Sequence, residues 1–568
     1  MLIGCGKGTG PKGIAPEVSD IPDQRIAPGE KFESFDLDDF VEDPDDTDSE
    51  ITWTFNGNVQ IAVRIDGDHV VTLKPPSDEW EGFEVITFTA TDPNGQSDSD
   101  SMRAMVAVNY PPVLSDLPER MILDQGEDFL PFDLDDFVED PNDSEADIIW
   151  TVSGHSEISV KIGEDHIVRF SPPSSDWLGL EVLVFTATDP WGESDSDSIR
   201  VGVGPKPVEG KVYVANSWPF KSLGGLTGGN VSVIDAATHE VVRTFPVGEV
   251  PFDMIPSPDG RLLYVVNRGL EFHPDIHIAS SVIWIVDVES GEKLDEIKIY
   301  DSETRKIDPE TGERTEGKAG KNPGQIALSP DGDQAYITVT RLTQETTQGI
   351  AVLDLISNKV AWIIPLRGFP YGLAMSSDGN FLYATNLGAR VPHEEAEVRF
   401  GILSVVNTQT WEVHEIDLKE SCYGVCLSPD DRLAYVTKPY EDIVQVIDTV
   451  DGAIIADIQV GNAPMQIVLS PDGKRLYVPN RLSEDLSIID TESLRVIDTV
   501  KVGPGPEGVL VTPEGRFVYV TNRNPGDPWT GVENIEGSVT VIDAVDNAVI
   551  ATIVVEEEPI AMCFIADR

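Results

Sequence analysis

The chain reads as all-β: two tandem β-sandwich domains, then a seven-bladed β-propeller closed by its own C-terminal strand. Three observations predict this. A tyrosine recurs at Tyr213, Tyr264, Tyr336, Tyr383, Tyr435, Tyr477 and Tyr519, each inside a short apolar run, and the last two steps are 42 residues each. Ahead of these, one pattern occurs twice at an offset of 97 residues. Finally, Glu558 to Ile565 has the character of an inner strand that the first propeller segment, Lys211 to Asn216, lacks.

The propeller unit is clearest from Gly461 to Asn480. Met465 to Leu469 is an apolar run, a Ser-Pro-Asp-Gly turn follows at Ser470, and Arg475 to Val478 leads to Asn480. Two apolar runs about a Gly-containing turn predict a β-hairpin. Leu486 to Asp490 and Val496 to Val500 add two more strands before the pattern restarts. Four strands in about 40–45 residues mark a propeller blade. The tyrosine motifs read Tyr-Val-Ala-Asn, Tyr-Val-Val-Asn, Tyr-Ala-Thr-Asn, Tyr-Val-Pro-Asn and Tyr-Val-Thr-Asn, with Tyr-Ile-Thr-Val and Tyr-Val-Thr-Lys as variants. They resemble the YVTN β-propeller repeat family of bacterial and archaeal surface proteins over residues 207–568. That resemblance implies surface display and contact with protein or glycan.

Closure is expected to remove free sheet edges. Pro559 matches Pro251, Pro323, Pro370, Pro464 and Pro506, so the C-terminal strand should complete the blade begun at Lys211. The Ser-Pro-Asp-Gly turns stay short, as do the turns after Asp235, Asp448 and Asp490, whose carboxylates should fold back on the backbone. Length varies between second and third strands, at 217–229, 268–280, 341–348, 387–400 and 523–537, and before the third inner strand at 300–321. Strand alternation puts these loops on one face, and loops on a rigid scaffold carry binding. On that face Arg268, Arg481 and Arg523 follow the motif Asn, Lys438 follows a fourth motif, Phe252, Tyr371 and Tyr423 stand at inner-strand entrances, and Trp218 and Trp529 lie in loops. Arg and aromatic residues suit interfaces, and they also suit a carboxylate-bearing or sugar-like ligand. The alternative is that they satisfy turn backbones and pair with neighbouring blades.

Residues 17–110 and 111–206 are the two repeats. Phe35 to Pro44 returns as Phe132 to Pro141, Trp53 as Trp150, Asp68-His69 as Asp165-His166, and Thr91-Asp92-Pro93 as Thr188-Asp189-Pro190. Short alternating strands in about 90–100 residues suggest a β-sandwich. Trp53 and Trp150 are expected in the cores, and His69 and His166 in solvated loops. The modules resemble bacterial Ig-like and cadherin-like repeats. Their acidic loops then read in two ways. Like charges about 4 Å apart cost roughly 4 kcal/mol at an effective dielectric near 20. A structural calcium ion, taking six to eight oxygens, would remove that cost. Its ligands would be Asp38, Asp43, Asp45 and Asp92, then Asp135, Asp140, Asp143 and Asp189. The other reading is a solvated loop that blunts a sheet edge.

At the start, residues 1–16 read as a tether, in which Leu2-Ile3-Gly4-Cys5 looks like a bacterial lipobox with Cys5 as the lipidated residue. Only four residues precede Cys5, so the match is either the end of a leader or chance. No run of 18 apolar residues occurs. Cys422 and Cys426, about 13 Å apart on one strand, are too far to bridge, and Cys426 and Cys563 read as small core residues.

The formal charge is −60, from 40 basic and 100 acidic residues. Residues 1–206 alone hold 45 acidic and 12 basic residues. Such a chain should attract divalent cations and avoid nucleic acid, whose phosphates need Lys and Arg. No nucleophile elbow, haem attachment site or zinc spacing is present, and the His273–His277 and His393 neighbourhoods are weak metal candidates. The expected function is that of a bacterial-type cell-envelope or secreted binding protein. It would present the propeller on a calcium-stiffened stalk to an envelope protein or glycan, with membrane contact only through a lipid anchor. The alternative is a periplasmic or secreted propeller enzyme, of lactonase or dehydrogenase-subunit type, acting on a small anionic or sugar substrate.

Overall fold

The structure, a computed structural model, describes residues 13–217, 228–268, 281–299, 305–307, 314–316, 322–340, 347–387, 401–523 and 536–568. Contacts divide the chain into two compact units, Met1–Met121 with Asp128–Pro173 and Glu181–Val201, and Ile122–Glu127 with Ser174–Leu180 and Gly202–Arg568.

In the first sandwich module, one sheet runs Gln24–Ile26, Ser97–Val106, Gly82–Thr91, Thr52–Asn56, and a second runs Phe35–Asp36, Val70–Lys74, Ala62–Ile65. Alternation along Gly82–Thr91 sends Ile86, Phe88 and Ala90 inward, where they meet Val71 and Leu73 of the other sheet and Leu37 of the short helical turn after Phe35–Asp36. Trp53 closes this core, and Trp150 holds the same place in the second module. The same strand order recurs in the second module. Glu84 is buried because it accepts the backbone N–H groups of Val59, Gln60 and Ile61, and Glu181 does the same for Ser156, Glu157 and Ile158.

The propeller has seven four-stranded blades. Blade 1 takes its inner strand, Pro559–Ala566, from the end of the chain and pairs it antiparallel with Gly210–Asn216. Blades 2 to 7 begin at the inner strands Pro251–Pro256, Asn322–Leu328, Phe369–Met375, Val425–Leu427, Val468–Leu469 and Pro506–Val511. The expected closure is therefore present. One feature was not legible: within 300–321, Arg305–Ile307 and Arg314–Glu316 form a hairpin that extends the outer edge of blade 3.

Blades stack through apolar clusters, each shared by two neighbours, and the clusters complete the circle. The seven tyrosines lie in these seams; Tyr435, Tyr477 and Tyr519 are among the largest fully buried side chains. Full burial of a large apolar side chain contributes roughly 1.5–3 kcal/mol. The threonine of the motif adds a polar tie. Thr338, Thr385 and Thr437 donate to the carbonyls of Tyr371, Tyr423 and Met465 on the next inner strand. Each also accepts an N–H from its own inner strand, at Gln325, Gly372 and Gly424.

The Ser-Pro-Asp-Gly turn closes on itself. Ser470 Oγ donates to Asp472 and accepts Arg475 N–H, and Gly473 takes the left-handed conformation at φ +74. In blade 5 Asp431 stands in that glycine's place at φ +56, and its carboxylate instead accepts from Ser377 of blade 4. Asp235, Asp448 and Asp490 accept N–H groups two or three residues ahead, as their turns require.

Candidate functional site at the propeller channel

The residue after the inner-strand proline, or after its counterpart, is Ile560, Phe252, Gly324, Tyr371, Tyr423, Met465 and Glu507 in blades 1 to 7. Five of these side chains, Phe252, Tyr371, Tyr423, Met465 and Ile560, pack into one buried cluster drawn from five blades. Such packing requires that they converge on the propeller axis. Gly324 adds no side chain, because Thr338 Oγ1 and Tyr371 O fill the space one would take, and Glu507 is the one charge in the column.

Glu507 is only 2% exposed and is bonded on several sides. Tyr423 donates its hydroxyl to Oε1 at 2.7 Å, Arg523 Nη1 reaches Oε2 at 2.9 Å, and Arg481 Nη1 lies 3.7 Å from Oε2. A second Arg523 nitrogen bonds Glu558 at 2.7 Å. Tyr423 has one hydroxyl hydrogen and gives it to Glu507, so Tyr371, 2.5 Å away, donates to Tyr423. Burial pushes the Glu507 carboxyl up, but Arg523, Arg481 and the hydrogen bonds outweigh it and leave it below the usual carboxylate value. Burial raises the Tyr371 phenol to about 12 and also raises that of Tyr423, so both stay protonated donors.

Arg268 faces this group from blade 2. Its guanidinium lies 3.1 Å from the centre of the Phe252 ring and 5.5 Å from that of Tyr371, and Nε donates to Pro323 O at 2.7 Å. Each of the three arginines is placed alike: its backbone N–H bonds the residue just before the inner-strand proline of its own blade, at Val250, Ala463 and Gly505. The preceding Asn anchors it. Asn480 Nδ2 donates to Asp485 at 2.8 Å and to Ser487 at 2.9 Å.

Six of the nine propeller residues expected at a binding face thus come together: Arg268, Arg481, Arg523, Phe252, Tyr371 and Tyr423. They do not form a displayed rim. The arginines turn inward to carboxylates and rings, because a guanidinium beside a buried carboxylate gains more than one in water. Lys438 is a correction. It occupies the motif-Asn slot itself, is 2% exposed, donates to Leu418 O at 2.9 Å and pairs with Glu441. Trp218 and Trp529 lie outside the described residues, as do His273, His277 and His393. Glu507 and Glu558 were not anticipated; aligning the inner strands on their prolines would have exposed Glu507 as the lone charge of its column.

In the sandwich modules, carboxylate oxygens of Asp43, Asp45 and Asp46 lie within 4.8 Å of one another, as do those of Asp140, Asp143 and Asp189. Asp46 was not expected there. Asp92 is close enough to add to the repulsion that, after burial and the charges of Asp43 and Asp45, raises the Asp46 carboxyl. Asp38 and Asp135 are held elsewhere: each lies 2.6 Å from a histidine Nδ1, of His69 and His166. Those histidines are therefore paired rather than free in solvent. Oδ2 atoms of Asp43, Asp46 and Asp140 are buried without a hydrogen-bond partner. Asp143 is bonded by Arg25 at 2.6 Å, and Asp189 by Asn109 at 2.7 Å. Cys563 is buried, as expected, and burial raises its thiol as it does that of Cys426. Cys5 lies outside the described residues.

Residues 428–528 match the family described as "Lactonase, 7-bladed beta-propeller". No curated protein matches the chain. Among solved structures, the periplasmic gluconolactonase PpgL of Pseudomonas aeruginosa is similar at 20% identity and TM-score 0.47, covering 63% of this chain and 99% of that one. A putative 6-phosphogluconolactonase of Bacteroides fragilis is similar at 17% identity and TM-score 0.44, over 63% and 98%. Kuenenia stuttgartiensis hydrazine synthase is similar at 21% identity and TM-score 0.43, over 55% and 89%. Likenesses of this size carry no chemistry across, and the seven-bladed architecture stands on the strand order itself. Among the described residues no helix is long and apolar enough to cross a membrane.

Proposed function

We propose that the propeller is a hydrolase of the lactonase type, binding a small anionic or polyhydroxylated lactone at the channel mouth. The observation that carries this is the setting of Glu507: one buried carboxylate held by Arg523, Arg481 and Tyr423 in an otherwise apolar column. Such a cluster is preorganised, with fixed donors in a site of low dielectric. Arg481 is one-third exposed on its side chain, so part of its donor fork is open to a ligand carboxylate or carbonyl oxygen. The matched segment 428–528 spans Arg481, Glu507 and Arg523, and its family description supports the same reading. The inward arginines favour a small ligand over a macromolecular partner, which needs its hot-spot residues displayed.

The test is a panel of aldonolactones and related five- and six-membered lactones, offered to the purified chain with acid release followed in a pH-stat. Turnover is expected to fall at least about 100-fold in Arg523→Ala, the size seen when one preorganised donor is lost, and likewise in Glu507→Gln, which removes the charge that holds the arginines. No turnover on any lactone would sink the reading and return the propeller to a binding role at the cell envelope.

The sandwich modules support a second reading, a structural calcium ion in each. Asp43, Asp45 and Asp46, with Asp92 beside them, and Asp140, Asp143 and Asp189 supply hard oxygen donors. The orphaned, buried Oδ2 atoms of Asp43, Asp46 and Asp140 fit a cation that would satisfy them. Calcium should raise the melting temperature of the N-terminal transition, and Asp140→Asn with Asp43→Asn should abolish that rise. An identical melt in calcium and in chelator would refute it. A chain of this charge, with a lipobox-like start, suits an envelope or extracellular location.

A further inference from the structure

Asp253 follows Phe252 on the inner strand of blade 2, one residue deeper along the channel wall. The equivalent positions in the other blades are Gln325, Gly372, Gly424, Gln466, Gly508 and Ala561, so Asp253 is the one ionisable side chain of its column. Oδ1 accepts Met254 N–H at 2.9 Å, and Oδ2 accepts Ile326 N–H of blade 3 at 3.0 Å. Each oxygen keeps a lone pair. The bridge to the next blade does not need a charge: Gln325 makes the same bridge with a neutral amide, accepting Leu373 N–H at 2.9 Å. Asp253 is half-buried, and a carboxylate that has lost much of its water is costly unless its charge is used or paired. The Arg268 guanidinium acts on it electrostatically, and it in turn acts on the Cys563 thiol of blade 1. Burial pushes the Cys563 thiol up, so it is neutral there. On the blade 3 strand that Asp253 bonds, Arg268 is held by its own bond to Pro323 O.

We propose that Asp253 is the proton acceptor of the channel site. The inference rests on the lactone-hydrolysing reading above and supplies the base that Glu507, clamped by two arginines, is poorly suited to be. Asp253 takes a proton from water while the water oxygen bonds to the lactone carbonyl carbon. When the tetrahedral intermediate collapses, the ring C–O bond breaks, and the departing alkoxide recovers that proton from Asp253. The product is the open hydroxy acid, and no other reactant is consumed. Burial, against the two N–H bonds and the Arg268 charge, raises the Asp253 carboxyl to about 7, which suits a base working near neutrality.

The experiment is the pH–rate profile of the full chain on its best lactone, from pH 5 to about 9, for the natural protein, Asp253→Asn and Asp253→Gln. The Gln variant copies the native bridge of Gln325, so it preserves the blade contact. Expected are an acid limb with an apparent pKa near 7 in the natural protein, kcat lowered about 100-fold or more in both variants, loss of that limb, and unchanged binding of the product hydroxy acid. A natural profile with the limb but a Gln variant within about threefold of it, limb retained, would overturn the role of Asp253 and leave the lactonase reading standing. If the variants melt early, the natural profile decides alone: a rate flat from about pH 6 to 8 overturns the proposal. Absence of turnover on every lactone would remove the lactonase reading, and this one with it.

Discussion

Tyr423 of blade 5 gives its hydroxyl hydrogen to Glu507 of blade 7 at 2.7 Å, bridging two blades that are not neighbours. The bond spans the channel mouth, past Met465 of blade 6, and so ties the circle together across its centre. A hydrogen bond to a buried charge is worth about 1.5–3 kcal/mol. Tyr423→Phe should therefore lower stability by about 2 kcal/mol. It should also weaken lactone turnover, because Tyr371 and Glu507 each lose a partner. Chemical denaturation and kinetics on one preparation check both. An unchanged midpoint would show that the bond contributes nothing in solution.

Acid should loosen the same site. The Glu507 carboxyl is held below its usual value in the folded protein, so the unfolded chain takes up a proton there before the folded one does. The ionised form stabilises the fold above the unfolded pKa of about 4.3. That contribution is lost as pH falls through the lower, folded value. Glu507→Gln is expected to flatten the decline of propeller stability below about pH 4 relative to the natural protein. Denaturant midpoints measured between about pH 3 and 6 would show it. Parallel curves for the two proteins would mean that the arginines are not holding the charge.

Much of this architecture was legible because it is local. The tyrosine column, the Ser-Pro-Asp-Gly turn and the extra proline at Pro559 depend on strand alternation and turn chemistry within some twenty residues. That the three arginines share one face followed from the same alternation. The direction in which they point did not. Arg523 meets Glu507 within its own blade, but it reaches Glu558, which immediately precedes the last strand, only after the circle closes. Lys438 looked like a rim charge because its slot was counted as following the motif; its alkyl stem and ammonium instead replace the buried Asn. His69 and His166 looked solvated because an acidic turn precedes each. Their partners, Asp38 and Asp135, lie 31 residues away in the chain, beyond the reach of spacing rules.

The motif Asn is expected to matter more than an exposed Asn of the same type. Asn480 is fully buried and donates to Asp485 and Ser487 across the loop that sets Arg481 in place. Asn480→Ala removes one donor from Asp485, which keeps Ser483, and one from Ser487, which keeps the long Gly461 N–H bond, and it opens a void beside Gly461. Each lost hydrogen bond costs about 0.5–1.5 kcal/mol, more where the acceptor is a carboxylate, and the void adds to that. A loss of about 2–4 kcal/mol is expected from this principle, with ligand binding impaired through Arg481. Asn480→Asp should recover the volume but not the donors, and so should not restore stability. Equal melting of all three proteins would refute the anchoring role.

The closing strand makes the strongest claim on the whole propeller. Pro559–Ala566 pairs with Gly210–Asn216 and supplies Cys563 and Ile565 to the core shared by blades 1 and 2, and Ile560 to the mouth cluster. Without it, Gly210–Asn216 becomes an open edge at the centre of the molecule, with Val212 and Val214 uncovered and unpaired N–H groups beside them. Glu558, one of the two carboxylates on Arg523, goes as well. Deleting residues 557–568 should therefore unfold or aggregate the propeller while the sandwich modules keep their own melting transition. Calorimetry of the truncated chain separates the two: loss of the propeller endotherm alone is the expected result. A propeller endotherm at its full-length temperature would show that the circle holds without the pairing described here.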